Sequence, residues 1–194
     1  MSIYYEINLK DEDKKLREEW KSTKEIFDGR ILHVIDDKVI CPNGNEASRE
    51  LIRHVGAVCV VPLTDDGKVI VERQFRYPIS KVITEVPAGK LDSKDEDPLL
   101  AAKRELREET GYTAEEWISL GVFYPAPAYS DEVIHLYLAR NLKKGERDLD
   151  EDEFLDVYEV PLQELVDGIM KGEITDCKTQ MAILKTEHKL RECN

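Results

Sequence analysis

Residues 88–112 read AGKLDSKDEDPLLAAKRELREETGY, a span with four Glu, three Asp and five Lys or Arg. Asp97-Pro98 predicts a helix start, since Asp accepts from the free amides of a first turn and Pro has no amide to lose there. Gly111 predicts its stop, because glycine enters the left-handed C-cap conformation without steric cost. At about 100° per residue, Leu99, Ala102 and Leu106 share one narrow face that should pack on a sheet. Glu105, Glu108 and Glu109, three and four residues apart, are neighbours in another sector. Ala101, one turn earlier on that same face, is expected to leave room beside them. Like charges at this spacing cost about 0.2–0.5 kcal/mol per pair, and Arg104, four residues before Glu108, offsets part of it. A hard divalent cation offsets more, because Mg²⁺ prefers carboxylate and water oxygens and often binds with substrate phosphates. Taken alone, such a charge-rich face is more often solvated surface.

The rest of the chain narrows the choice. At 194 residues it is one domain, or one with a small appendage, and it is long enough to bury a core. Apolar content of 41% with 36% charged residues describes a globular chain with a heavily charged surface. A net charge of −13 argues against nucleic acid or an anionic membrane as the main partner, but a bound metal can reverse the field locally for a small phosphorylated substrate. No run approaches membrane-spanning length, and MSIYYEINLKDEDKK lacks the apolar core of a signal peptide. Cys41, Cys59, Cys177 and Cys193 lie far apart without C-x-x-C spacing, which disfavours a disulfide framework or zinc site and suits a reducing, cytoplasmic setting.

Residues 9–20, LKDEDKKLREEW, suggest a short charged helix or loosely held arm. KEIFDGRILHVIDDKVICPNG then alternates apolar and polar residues, with turn signals at Asp28-Gly29, Asp36-Asp37 and Asn43-Gly44, which predicts a small antiparallel meander. Two β-branched strands joined at Asp66-Gly67 follow, and VITEVP is a further short strand. Beyond residue 112, two more strands flank a loop rich in Pro, Ala and Tyr. The acidic run ERDLDEDEFLD is a loop, VYEVP a strand, LQELVDGIMKG a helix closed by Gly172, and a last helix covers roughly 177–190. The expected fold is a mixed α/β (α+β) sandwich with helices flanking mixed sheets. Residues 1–50 form the arm and small antiparallel subdomain, and 51–194 the main domain.

The spacing around the charged helix resembles the Nudix box, which runs Gly, five residues, Glu, seven residues, then Arg-Glu-U-X-Glu-Glu-X-Gly-U with U bulky and apolar. Gly89 begins it, seven residues separate Glu96 from Arg104, and RELREETGY supplies Arg104, Glu105, Leu106, Glu108, Glu109, Gly111 and Tyr112. Six residues rather than five separate Gly89 from Glu96, so the departure lies in the loop and not in the helix. EVPAGK before the box, VERQFRYP, SDEVIHLYLA and Pro127, fifteen residues after Tyr112, resemble the ADP-ribose pyrophosphatase branch. The loop reads Ala126-Pro127-Ala128, where Ser-Pro-Gly is usual in that branch.

The resemblance implies a Nudix-type α/β/α sandwich that hydrolyses a nucleoside diphosphate derivative, ADP-ribose first and nucleotide sugars as the alternative. It implies Mg²⁺, with Mn²⁺ as a substitute, held by Glu105, Glu108 and Glu109 and the Ala88 backbone carbonyl. Such ions clamp phosphate oxygens and acidify bound water, chemistry that a diphosphate needs. The acidic loop offers Glu151 as general base and Glu153 as a further ligand, with a merely solvated loop the competing explanation. Arg76, and with less reason Arg53, suit a diphosphate or ribose, since guanidinium forks match phosphate oxygens; for Arg53 surface ion pairing competes. Glu132 is a candidate for a ribose hydroxyl, and Phe75, Tyr77 or Tyr129 for stacking on a base. The N-terminal strands resemble those exchanged between subunits of ADP-ribose pyrophosphatases, which implies a homodimer. A binding sensor that has lost hydrolysis is the reading from a different class, and it is expected to lack the carboxylates this chain keeps.

Overall fold

A computed structural model describes residues 11–149 and 154–192. The described chain divides into two compact units, one reaching His54 and including Ala126–Asp131, the other made of Val55–Pro125 and the chain from Glu132 onward.

The first unit is built on a three-stranded antiparallel sheet of β1 (Glu19–Asp28), β2 (His33–Ile40) and β3 (Glu46–Arg53), in that order. Turns fall at Gly29 and Gly44, but none forms at Asp36-Asp37. There β2 runs straight through, because both aspartates lie in the central strand between β1 and β3. The buried Asp37 is satisfied by the Thr23 hydroxyl at 2.5 Å and by Arg53 at 3.5 Å, so a pair that reads as a turn is held extended by cross-strand partners. Over 9–20, read as a short charged helix or a loosely held arm, no α-helix forms among the described residues. A single 3₁₀ stretch covers Asp11–Leu16, and β1 begins at Glu19.

The second unit opens with β4 (Ala57–Pro62), β5 (Lys68–Arg76), β6 (Lys81–Glu85) and β7 (Ala88–Lys90), followed by α1 (Pro98–Thr110). It continues through β8 (Tyr112–Phe123), β9 (Ile134–Lys144), β10 (Leu155–Pro161), α2 (Leu162–Met170) and α3 (Cys177–Glu192). One sheet has the order β7-β4-β9-β8, with β4 and β9 parallel; the other, β10-β5-β6, is antiparallel.

β4 explains the layering. Its side chains alternate, so Val58 and Val60 pack with Ala101, Ala102 and Leu106 of α1, while Cys59 and Val61 pack with Ala182 and Ile183 of α3. A strand buried on both faces must be apolar throughout, and VCVV is. Ala101 therefore does not leave open room beside the carboxylates. It is buried in the core, because the apolar stripe of α1 is wide enough to take it as well as Ala102. Burial pushes the Cys59 thiol pKa upward, and Cys41, Cys59 and Cys177 are all free. No described helix is long and apolar enough to cross a membrane.

Candidate active site

α1 forms as its ends dictate. The Asp97 carboxylate accepts from the Leu99 amide at 2.8 Å, Pro98 occupies the first turn, and Gly111 closes the helix at φ 77°. A side chain at 111 would be strained by that backbone and would meet the Gly145 carbonyl at 2.9 Å. The close approach draws residues 145–148 along the end of α1. The Gly145 amide donates to Gly111 at 2.7 Å, and the Asp148 amide donates to the Glu108 carbonyl at 3.1 Å.

With the helix seated, its polar sector meets the short β7. The Ala88 amide donates to Glu109 Oε2 at 3.0 Å, and Glu109 is only 5% exposed. Gly89 lies against Glu105 so closely that a Cβ there would overlap the carboxylate. Arg104 sits among the acids, with Nη1 2.6 Å from Glu105 Oε1 and 3.5 Å from Glu108 Oε2, and Nη2 3.5 Å from Glu96. Burial lowers the affinity of this guanidinium for its proton, but Glu105, Asp92 and Glu96 outweigh it and raise its pKa. Glu96 has a local task as well. Its Oε2 accepts the Asp92 amide at 2.6 Å, closing the loop that carries the extra residue.

Glu109 and Glu105 thus meet the Ala88-Gly89 backbone, and Arg104 links Glu105 to Glu108. The donor set suits a hard cation: carboxylate oxygens around a positive charge already present, beside a cradle that a single methyl would fill. Arg104 bridges Glu105 and Glu108. No three His, Cys, Asp or Glu side chains among the described residues converge as a metal site.

Arg76 lies at the end of β5, with Nε and Nη2 donating to Glu85 at 2.6 and 2.8 Å. Both Glu109 and Asp176 act on its charge. Sequence reading missed Glu85, which holds this arginine, and Asp176, Lys178 and Thr179, which are joined to Glu85 and to one another. The available signal was a carboxylate in VITEVP, a short strand whose far end is apolar, since a buried Glu requires a cationic partner. Arg53 is ion-paired to Asp131 at 3.1 Å and to the buried Asp37 within the first unit. Pro127 and Tyr129 belong to that unit too and are exposed, whereas Glu132, Phe75 and Tyr77 belong to the second. Phe75 and Tyr77 are exposed rather than in the core. Glu151 and Glu153 lie outside the described residues.

A sandwich that sets an acidic helix face against a glycine loop can gather positive charge around a polyanion, which is what cleavage of a phosphoanhydride requires. Comparison with known proteins gives the class. A family model for the NUDIX domain matches residues 53–177. The chain is 42% identical over 172 residues to an ADP-ribose pyrophosphatase of Bacillus subtilis, covering 88% of this chain and 92% of that one. It is 44% identical over 172 residues, with the same coverage, to a methanol dehydrogenase activator of Bacillus methanolicus. In fold it matches a solved ADP compounds hydrolase with a TM-score of 0.82 at 22% identity, over 92% of this chain and 96% of the other. The chain belongs to the Nudix family. It is a Nudix hydrolase acting on nucleoside diphosphate derivatives, a group of enzymes that generally use divalent metal ions.

Proposed function

We propose that the enzyme hydrolyses ADP-ribose to AMP and ribose 5-phosphate with Mg²⁺, Mn²⁺ serving as a substitute. The observation that carries this is the acidic sector of α1 set against the glycine loop, Glu109 at the Ala88 amide and Glu105 at Gly89, with Arg76 within reach of the Glu109 charge. Likeness to an ADP-ribose pyrophosphatase along 88% of the chain supports the substrate. The three glutamates and the Ala88 carbonyl are assigned to hold the metal, which when bound neutralises phosphate charge and acidifies water. Arg76 presents its remaining N–H groups to a phosphate oxygen while Glu85 fixes the plane of its fork.

Glu151 is assigned as the base that takes the proton from the attacking water, with Glu153 as a further ligand. The chain is anchored to Glu108 at Asp148, three residues before Glu151, which supports a contribution from this loop. Incubation with ADP-ribose should give both products with Mg²⁺ and neither with EDTA. In the same assay, changing Glu151 and Glu153 together to Gln should lower turnover by about 10²-fold or more. Unchanged turnover would move the base elsewhere.

The 44% identity to a methanol dehydrogenase activator favours a second reading, in which this hydrolytic site serves a partner dehydrogenase. Alcohol oxidation by a methanol dehydrogenase, followed with and without the chain, separates the two. A homodimer is the proposed assembly. Trp20, Ile26 and Phe27 are exposed apolar side chains on β1, a strand exposed along its whole length. Sedimentation at micromolar concentration should show a dimer, and a single monomeric species would reject it.

A further inference from the structure

The segment 85–89 is gripped from two helices. α1 holds it at Ala88 through Glu109 and abuts Gly89 with Glu105. The first turn of α3 holds its other end. Asp176, just before that helix, accepts through Oδ2 from the Thr179 amide at 2.9 Å, the Thr179 hydroxyl at 2.7 Å and Lys178 Nζ at 3.0 Å. The Thr179 hydroxyl, buried and thereby oriented, accepts the Val86 amide at 3.0 Å. Lys178 reaches across to Glu85 Oε2, the same oxygen that accepts Arg76 Nη2.

Glu85 is 2% exposed and carries two cations: Lys178, with 13% of its side chain exposed, and Arg76, with 42% exposed. Burial alone would raise the Glu85 pKa, but the Arg76 fork and the Lys178 ammonium together hold it below the usual carboxylate range. Counting Asp176 and Glu109, which both act on Arg76, the group has two positive and three negative charges. Arg76 would be largely neutralised by Glu85 if it were the only cation there. Because Lys178 shares the carboxylate, Glu85 offsets less of the guanidinium's charge. Loss of Lys178 would leave this end of the site more negative by one charge, where a diphosphate must approach.

The geometry points to Lys178, fixed by Asp176 at the start of α3, as a positioning residue for substrate. By sharing the Glu85 carboxylate it holds the Arg76 fork in place and leaves its charge available to the diphosphate. This rests on the proposed function in one respect, that Arg76 meets the substrate diphosphate.

The test compares Lys178→Met and Lys178→Arg with the wild type, in turnover with Mg²⁺ and in calorimetric titration with ADP-ribose in EDTA, where no hydrolysis occurs. Lys178→Met should raise both Kd and KM by about tenfold or more, the scale of one charge-assisted hydrogen bond, with kcat changed by less than about threefold. Lys178→Arg should return Kd and KM to within about threefold of wild type, since it restores the shared cation. If Lys178→Met lowers the melting temperature but leaves Kd and KM unchanged, Lys178 only supports the fold and the inference is overturned. Failure of Lys178→Arg to rescue overturns it as well. Should Lys178→Met not fold, Asp176→Asn takes its place. It loosens Lys178 without removing its charge, and must raise KM more than it lowers kcat. A wild type that neither binds nor cleaves ADP-ribose counts against the proposed substrate instead, and the same comparison is then read with whichever nucleoside diphosphate derivative it does cleave.

Discussion

Glu109→Gln should fold as well as the wild type and lose about 10³-fold in kcat. Gln keeps an oxygen for the Ala88 amide, so the loop stays tied to α1. What disappears is a negative charge beside Glu105 and Glu108. Neutralising it relieves repulsion from its neighbouring acids and removes its attraction for Arg76, opposing effects that should leave the melting temperature close to that of wild type. Activity falls, because the lost charge is a metal donor, and metal stabilisation of the transition state amounts to several kcal/mol, with about 1.4 kcal/mol per decade of rate. Thermal melting and turnover of ADP-ribose at saturating Mg²⁺ check both halves. Turnover within tenfold of wild type would remove Glu109 from the metal site.

Gly89→Ala should leave stability close to that of wild type while weakening the response to metal by about 10–100-fold, the range seen when the support of a metal ligand is disturbed. The new methyl would overlap the Glu105 carboxylate, which is the far end of a flexible side chain and can swing away with little cost to the fold. Its new place is wrong for coordination, and it carries the Arg104 contact with it. The readout is the Mg²⁺ concentration giving half-maximal rate, with a melting curve alongside. An unchanged half-saturation would mean that Glu105 does not bind the ion.

These two positions also show why α1 was legible so early. Its cap, its glycine stop and the spacing of its acids are local properties, within reach of side chains three and four residues apart. The apolar run of β4 declared a buried strand for an equally local reason. Asp36-Asp37 misled because partners distant in the sequence hold Asp37 within the sheet, Thr23 and Arg53. Ala101 misled because the width of a helix's buried face depends on the surface it packs against.

The acidic helix, its glycine loop and the family could be read from residue spacing, since each lies in short-range pattern, and the mixed sandwich from the succession of strand and helix signals. The folded chain was needed to pair Arg53 with Asp131 and Arg76 with Glu85, and to bring Lys178 to that carboxylate. Lys178 lies 93 residues from Glu85. A buried carboxylate demands a cation, but which cation reaches it is set by how α3 packs against the end of β6, and no periodicity in the chain carries that information.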